Sequence, residues 1–253
     1  MNRMNDRMNE RAEVREPREK SVHWANYHPP GMLTMLSESE IPLQEDLVAR
    51  VINAERDSWR GNFVEANVPY LELAPGLRVI GEVTQEGFGG APVRTCINYE
   101  QMNEMGLNEK TLMETALRNS MQKHPPLLLA FEGKQIGTEN LLYRTEGIRE
   151  GEIMHVLTTK DFMLGAIALF YPGIQERLSN IMGGNYYAVP SSVHEFIILP
   201  ESDRYDENIL AQMLFEANRE VVNKDDVLTD TLYYYDSELG LLLSCREYGE
   251  YAM

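Results

Sequence analysis

The stretch from Ile153 to Pro200, IMHVLTTKDFMLGAIALFYPGIQERLSNIMGGNYYAVPSSVHEFIILP, constrains this chain more than any other part of it. An apolar run is followed by a Pro-Gly break, an amphipathic helix, a Gly-Gly stop and two short strands around Pro-Ser-Ser. That order specifies a compact α+β unit. A strand is expected over Ile153–Thr158. A helix is expected after Pro172, with Ile174, Leu178, Ile181 and Met182 inward and Gly183-Gly184 as its stop. Tyr186–Val189 and Glu195–Leu199 pair as a hairpin.

The same logic extends outward. Asp206 caps a helix with Ile209, Leu210, Met213, Leu214 and Ala217 on its apolar face. Leu232–Asp236 and Leu241–Cys245 form a second hairpin across Ser237-Glu238-Leu239-Gly240. Upstream, Leu43, Leu47, Val48, Val51 and Ile52 fall at helical spacing, so a helix is expected from Leu43 to Trp59. Strands follow over Val68–Leu73, Leu77–Val83 and Val93–Ile97, with a break at Gly87-Phe88-Gly89-Gly90. Asn108 caps a helix carrying Leu112, Ala116, Leu117 and Met121, ended by Pro125-Pro126, and Leu127–Phe131 is a buried strand. The expectation is an α+β fold, helices packed on a mostly antiparallel sheet, in two lobes. The lobes are an N-terminal one over 41–140 and a C-terminal one over 151–248, separated by polar, Gly-punctuated chain and preceded by a polar arm and linker over residues 1–40.

At 253 residues and 43% hydrophobic the chain can bury a substantial core. Its 40 Asp and Glu against 23 Lys and Arg leave a net charge of −17. Repulsion from phosphate backbones and anionic lipid faces argues against direct nucleic-acid or membrane binding and favours a basic partner. The first twenty residues depart from this balance. There Arg3, Arg7, Arg11 and Arg15 recur at i, i+4, and the segment reads as a polar leader or a basic helical arm. The N-terminus lacks an apolar signal core, and Phe162–Tyr171 is about half the ~20 residues a membrane span needs, so the expected location is cytoplasmic. Cys96 and Cys245 have no CxxC spacing and are expected as reduced thiols.

Four adjacent residues are the most enzyme-like. Ser191, Ser192, His194 and Glu195 offer a hydroxyl, an imidazole and a carboxylate, the groups of nucleophilic hydrolysis. Ser192 and His194 share a strand face, but Glu195 points the other way and GxSxG is absent. The bland reading is a turn whose hydroxyls bond local backbone. His155 approaching His194, with Glu195 or Asp161, would make a weak metal site, but HExxH is not formed because Ile198 stands where its second histidine belongs. The glycines at 87–90 are not followed by the GK[ST] of a phosphate loop. No cofactor is expected.

Between Glu201 and Glu238 there are eleven acidic residues against Arg204, Arg219 and Lys224. Asp225, Asp226, Asp230, Asp236 and Glu238 surround Tyr233-Tyr234-Tyr235 without the alternating ligands and glycine of a calcium loop. The segment reads either as a solvated acidic face or as a patch for a basic protein groove. In the second case Asp225, Asp226, Asp230, Tyr234, Asp236 and Glu238 are the contact residues.

Several runs resemble an uncharacterised bacterial family, a domain of unknown function frequent in anaerobic gut bacteria and their mobile elements. They are His155-Val156-Leu157-Thr158-Thr159-Lys160, Gly165-Ala166, Leu169-Phe170-Tyr171-Pro172-Gly173, Gly183-Gly184-Asn185-Tyr186-Tyr187 and Pro190-Ser191-Ser192-Val193-His194-Glu195. Glu216-Ala217-Asn218, Val227-Leu228-Thr229-Asp230 and Tyr233-Tyr234-Tyr235-Asp236 complete them, with fainter likeness upstream in Val68–Leu73 and Asn98–Asn119. The resemblance covers residues 45 to 245 and implies an α+β fold, no established activity and no catalytic residues to carry over. The expected function is therefore a non-enzymatic, acidic protein-binding protein. Its concrete form is a phage or mobile-element inhibitor that imitates nucleic acid against a host defence protein. The alternatives are a hydrolase or metal-dependent enzyme using Ser192 and His194, or a small-molecule or peptide sensor.

Overall fold

The structure, a computed structural model, describes residues 34–35, 43–53, 67–86, 92–132, 135–202 and 204–245. The expected arm over residues 1–20 and the break at Gly87-Phe88-Gly89-Gly90 lie outside them. The spine of the first sheet is β4 (Leu77–Glu86), long enough to serve several partners. Its first half takes β2 (Val48–Asn53) in an antiparallel register from Val48 opposite Glu82 to Asn53 opposite Leu77. The same half also pairs with β3 (Tyr70–Ala74), and its second half pairs with β5 (Pro92–Cys96). The short β1 (Thr34–Met35) runs parallel to β5.

The helix expected from Leu43 to Trp59 is not formed over its described part. A 3-10 turn at Gln44–Asp46 leads into β2 instead, and residues 54–59 lie outside the description. Residues 48 to 52 are buried on both sides of the strand, so the period-2 signal vanishes and the apolar spacing imitates a helix. Pairing with β4 along all six residues decides the conformation over local pattern.

A short helix, α1 (Tyr99–Glu104), precedes α2 (Glu109–Lys123). Asn108 starts α2 as expected. Its Oδ1 accepts from the Thr111 N–H at 3.0 Å while Thr111 Oγ1 accepts from the Asn108 N–H at 2.9 Å, a reciprocal cap. Leu112, Met113, Ala116 and Leu117 turn inward onto the sheet. Ser120 Oγ accepts the Ala49 N–H at 2.6 Å, tying the helix to β2. On β4, Glu82 is fully buried, with Arg50 Nη1 at 3.2 Å and Arg94 Nη1 at 3.8 Å. Burying that carboxylate is tolerable only because both guanidinium groups offset its lost hydration.

Among the described residues the second sheet has seven strands, in the order β12-β11-β9-β10-β8-β6-β7. Their ranges are β6 (Pro126–Glu132), β7 (Gln135–Ile136), β8 (His155–Thr159), β9 (Tyr186–Ser192), β10 (Glu195–Pro200), β11 (Tyr233–Asp236) and β12 (Leu241–Ser244). Every pairing is antiparallel, and both expected hairpins form. Pro126 to Glu132 and the strands after residue 154 thus share one sheet across the polar segment that separates them in sequence. Within that segment Arg144 is held by Glu139 (2.8 Å) and Glu152 (2.7 Å), and Leu141 and Leu142 enter the core.

Alternation along these strands separates two faces. Leu157, Tyr186, Ala188, Phe196, Ile198, Tyr233, Tyr235 and Leu242 lie in the main core, where Tyr186 stacks on Tyr235 with ring centroids 4.9 Å apart. The six residues of a 3-10 helix, Gly165–Phe170, and α3 (Ile174–Met182) cover that face. Gly183 ends α3 at φ +84°, a left-handed stop that glycine adopts without cost. The opposite face carries Tyr187, Leu199, Leu232, Tyr234 and Cys245 under α4 (Glu207–Glu220). One buried apolar cluster runs from Leu47 to Leu242 and draws on both sheets. The helices and mostly antiparallel sheets are those of an α+β fold. Among the described residues, no helix is long and apolar enough to cross a membrane.

Candidate functional site

The run Pro190-Ser191-Ser192-Val193-His194-Glu195 closes the β9–β10 hairpin. Pro190-Ser191-Ser192, expected as its turn, continue β9 with Ser192 opposite Glu195 and Pro190 opposite Phe196, and the turn itself is Val193-His194, whose backbone is tied to two other segments. The Val193 N–H donates to the Asp226 carbonyl at 2.7 Å, and the Ala166 N–H donates to the Val193 carbonyl at 3.3 Å. Thr158 Oγ1 donates to the His194 carbonyl at 2.8 Å. Gly165 lies against the same spot. A Cβ there would meet Thr158 Oγ1 at 2.3 Å, the His194 carbonyl oxygen at 2.5 Å and the Thr159 nitrogen at 2.7 Å, so only glycine fits.

The imidazole of His194 is engaged on both sides. Nδ1 accepts the backbone N–H of Leu164 at 2.9 Å, which places the ring proton on Nε2. Nε2 faces Asp226 Oδ1 at 3.4 Å. Leu164 has a left-handed backbone (φ +51°), and so does Phe162 (φ +55°), a costly conformation for side chains with a Cβ. His194 therefore anchors a strained loop.

This geometry answers the hydrolase expectation at the level of atoms. A general base for Ser192 needs a ring nitrogen with a free lone pair. Nδ1 spends its own on Leu164, and Nε2 carries the proton. Ser192 Oγ accepts the His194 backbone N–H at 3.1 Å, and Ser191 Oγ donates to Glu195 Oε1 at 3.2 Å. Ser192 thus bonds local backbone, as the bland reading expects of both hydroxyls, whereas Ser191 bonds a side chain.

The residues of the weak metal reading are not brought together either. His155 is fully buried on the core face of β8, opposite Ile198. Four residues of β10 separate that level from His194, roughly 13 Å of strand. Asp161 pairs instead with His124 Nδ1. Among the described residues no group of three or more His, Cys, Asp or Glu side chains is placed to hold a metal ion. Burial pushes the Cys96 and Cys245 thiols up, far from the reactive range, and neither is in a disulfide.

The six residues expected to meet a partner do not form one patch. Asp225, Asp226 and Asp230 lie at the turn end of β9, near Val193, and Asp226 is occupied by His194. Asp236 and Glu238 lie at its other end, where Asn185 Oδ1 accepts the Ser237 N–H, and β9 sets the two groups roughly 20 Å apart. Asp236 Oδ1 accepts the Glu238 and Leu239 N–H groups and so shapes its own turn. Tyr234 is 1% exposed, its ring beside Tyr187 and its hydroxyl donating to Glu201 Oε1 at 2.8 Å. Strand alternation puts it under α4, where no partner can reach it. Glu238 and Asp230 remain outward, Asp230 receiving Asn218 Nδ2 at 2.8 Å and Arg219 Nη2 at 3.4 Å.

Helix α4 holds the residues that sequence reasoning missed. Ile209 and Met213, expected inward, are 58% and 59% exposed. Leu214 and Asn218 are the buried side chains, with Leu210 and Ala217 partly covered. Asn218 Nδ2 donates to the Thr229 carbonyl at 3.0 Å as well as to Asp230, and those bonds set the rotation of the helix on its axis. An asparagine on the buried face is a weak signal, since in sequence it reads as a solvated position.

A family model described as a family of unknown function, DUF5688, matches residues 33–237. The chain belongs to that family. The match takes in the Pro-Ser-Ser-x-His-Glu turn, the Gly165 contact and α4, and it begins some residues before the expected start at 45. No curated protein and no solved structure matches the chain.

Proposed function

We propose that this member of DUF5688 is a non-enzymatic protein-binding protein whose partner presents a basic surface. The observation that carries the reading is the net charge of −17 together with outward carboxylates on the C-terminal region, among them Glu216, Glu220, Asp230 and Glu238. Such a field accelerates encounter with a cationic surface and repels nucleic acid and anionic lipid. The commitment of His194 to Leu164 and Asp226 favours this reading over hydrolysis at Ser192. In its finer form the protein acts in the cytoplasm of a gut anaerobe and blocks the nucleic-acid channel of a host defence protein, as the gene of a phage or mobile element would direct.

Affinity capture of the full chain in its own host, at low and high salt, tests the proposal. A partner retained at low salt and released by salt is expected, and Glu216→Lys combined with Glu220→Lys should weaken its retention. Capture that is indifferent to salt and to both reversals would refute an acidic docking surface. Turnover abolished by Ser192→Ala in a stably folded chain would replace the proposal with the hydrolase. If the captured protein binds no nucleic acid, the inhibitor form fails while the docking reading stands.

A further inference from the structure

The outer face of α4 carries one stripe of four exposed residues, Ile209, Met213, Glu216 and Glu220. Their spacing of four, three and four places them on one side of three helical turns. The stripe is apolar in its first half and acidic in its second. Gln212 Nε2 donates to Glu216 Oε1 at 2.8 Å, which steadies that carboxylate, and the one nearby cation of the helix is turned elsewhere. Arg219 stacks on Phe215 and reaches Asp230 on another side of the helix.

The exposure of the stripe follows from the way the helix is seated. A rotation that hid Ile209 and Met213 would carry Asn218 away from Thr229 and Asp230. The fold thus buries an amide with two specific bonds and leaves two large aliphatic side chains in water, against the hydrophobic preference of either residue. Places where local pattern and tertiary arrangement conflict in this way are where binding surfaces concentrate.

We infer that this stripe is the docking site, and that its occupant is a basic amphipathic segment of the partner protein. The inference rests on the binding function proposed above and names its contact. The segment lays apolar side chains on Ile209 and Met213 and sets Lys or Arg against Glu216 and Glu220. Charge complementarity selects this occupant, because a second copy of α4 would set Glu216 and Glu220 against their own kind if parallel, and against the apolar Met213 and Ile209 if antiparallel. Met213 suits the role, since its unbranched thioether adapts to the shape it meets. The stripe is roughly 17 Å long, matching about three turns of a partner helix.

The test uses the full chain in its own host. The double variant Ile209→Glu, Met213→Glu should reduce retention of the captured partner by about tenfold or more, with an unchanged melting temperature because both positions face water. A photocrosslinker at position 209 should join a partner peptide with Lys or Arg within a turn of its apolar residues, and one at position 238 should not. Retention unchanged in the double variant, or a crosslink from position 209 into this chain or an acidic peptide, would overturn the assignment while leaving the binding function intact. Failure of the wild-type chain to retain any protein would sink both.

Discussion

The backbone N–H of Leu164 donates to Nδ1 of His194 at 2.9 Å, and each group fixes the state of the other. The bond keeps Leu164 at φ +51° and fixes the histidine in the tautomer protonated at Nε2, toward Asp226. A residue that looks catalytic in sequence is thereby a structural fastener.

His194→Ala removes the acceptor of Leu164 and the partner of Asp226 together. A loss of about 1–3 kcal/mol in unfolding free energy is expected, against about 0.5–1.5 kcal/mol for Ser192→Ala, which removes one neutral acceptor. Urea denaturation of both variants measures the difference. Equal effects would mean that the imidazole does not hold the loop.

Gly165→Ala should be among the most damaging single-methyl changes in the molecule. Two of its three close neighbours, the His194 carbonyl and the Thr159 nitrogen, are backbone and cannot swing aside. A cost of about 3 kcal/mol is expected, at the upper end of overpacking. Gly81→Ala is the control, since its new Cβ would meet the Leu112 side chain at an ordinary 3.5 Å and stability should change by less than about 1 kcal/mol. Comparable melting temperatures for the two would remove the steric argument.

His155 supplies a pH dependence of known sign. Burial, the largest influence, pushes its pKa below the ordinary histidine value. Arg144 acts in the same direction, while the Ile198 carbonyl and the Glu152 carboxylate pull it upward. The unfolded chain takes up this proton near pH ~6.5, and the folded chain only at lower pH. The contribution of neutral His155 is complete above pH ~6.5 and is lost as pH falls from there toward the folded value. His155→Leu should flatten stability against pH in that window, as read by thermal melts at fixed ionic strength. An unchanged slope would show that His155 is not the group responsible.

Asn218→Leu exchanges the amide for an apolar side chain of similar size and leaves the Thr229 carbonyl without its donor. A loss of about 1–3 kcal/mol is expected despite the gain in hydrophobicity. Hydrogen exchange at the end of α4 should rise with it. A stabilised variant would mean that packing alone seats the helix.

Where local chemistry and tertiary structure agree, the sequence was readable. Asn108 and Asp206 cap their helices, Gly183 stops α3, and the second C-terminal hairpin turns at Ser237–Gly240, while the first turns at Val193-His194, just past the expected Pro-Ser-Ser. The failures share a cause. Val48 to Ile52 lacks a strand signature because both faces are covered, and the inward face of α4 keeps Leu210, Leu214 and Ala217 but takes Asn218 in place of Ile209 and Met213. The candidate site was half legible. The Pro-Ser-Ser-x-His-Glu turn stood out, but its dependence on Leu164, Gly165 and Asp226 arises only when distant segments meet. The acidic residues were visible as a composition, and strand geometry then divided them between two ends of β9.

The Tyr233 hydroxyl bonds to the Pro75 carbonyl at 2.7 Å across 158 positions of chain, where the last strands come against the first sheet. During synthesis that contact cannot close until Tyr233 has left the ribosome. The early strands must wait, partly uncovered, for residues translated much later, so a message broken off before Tyr233 would release a nascent product for chaperones and proteases.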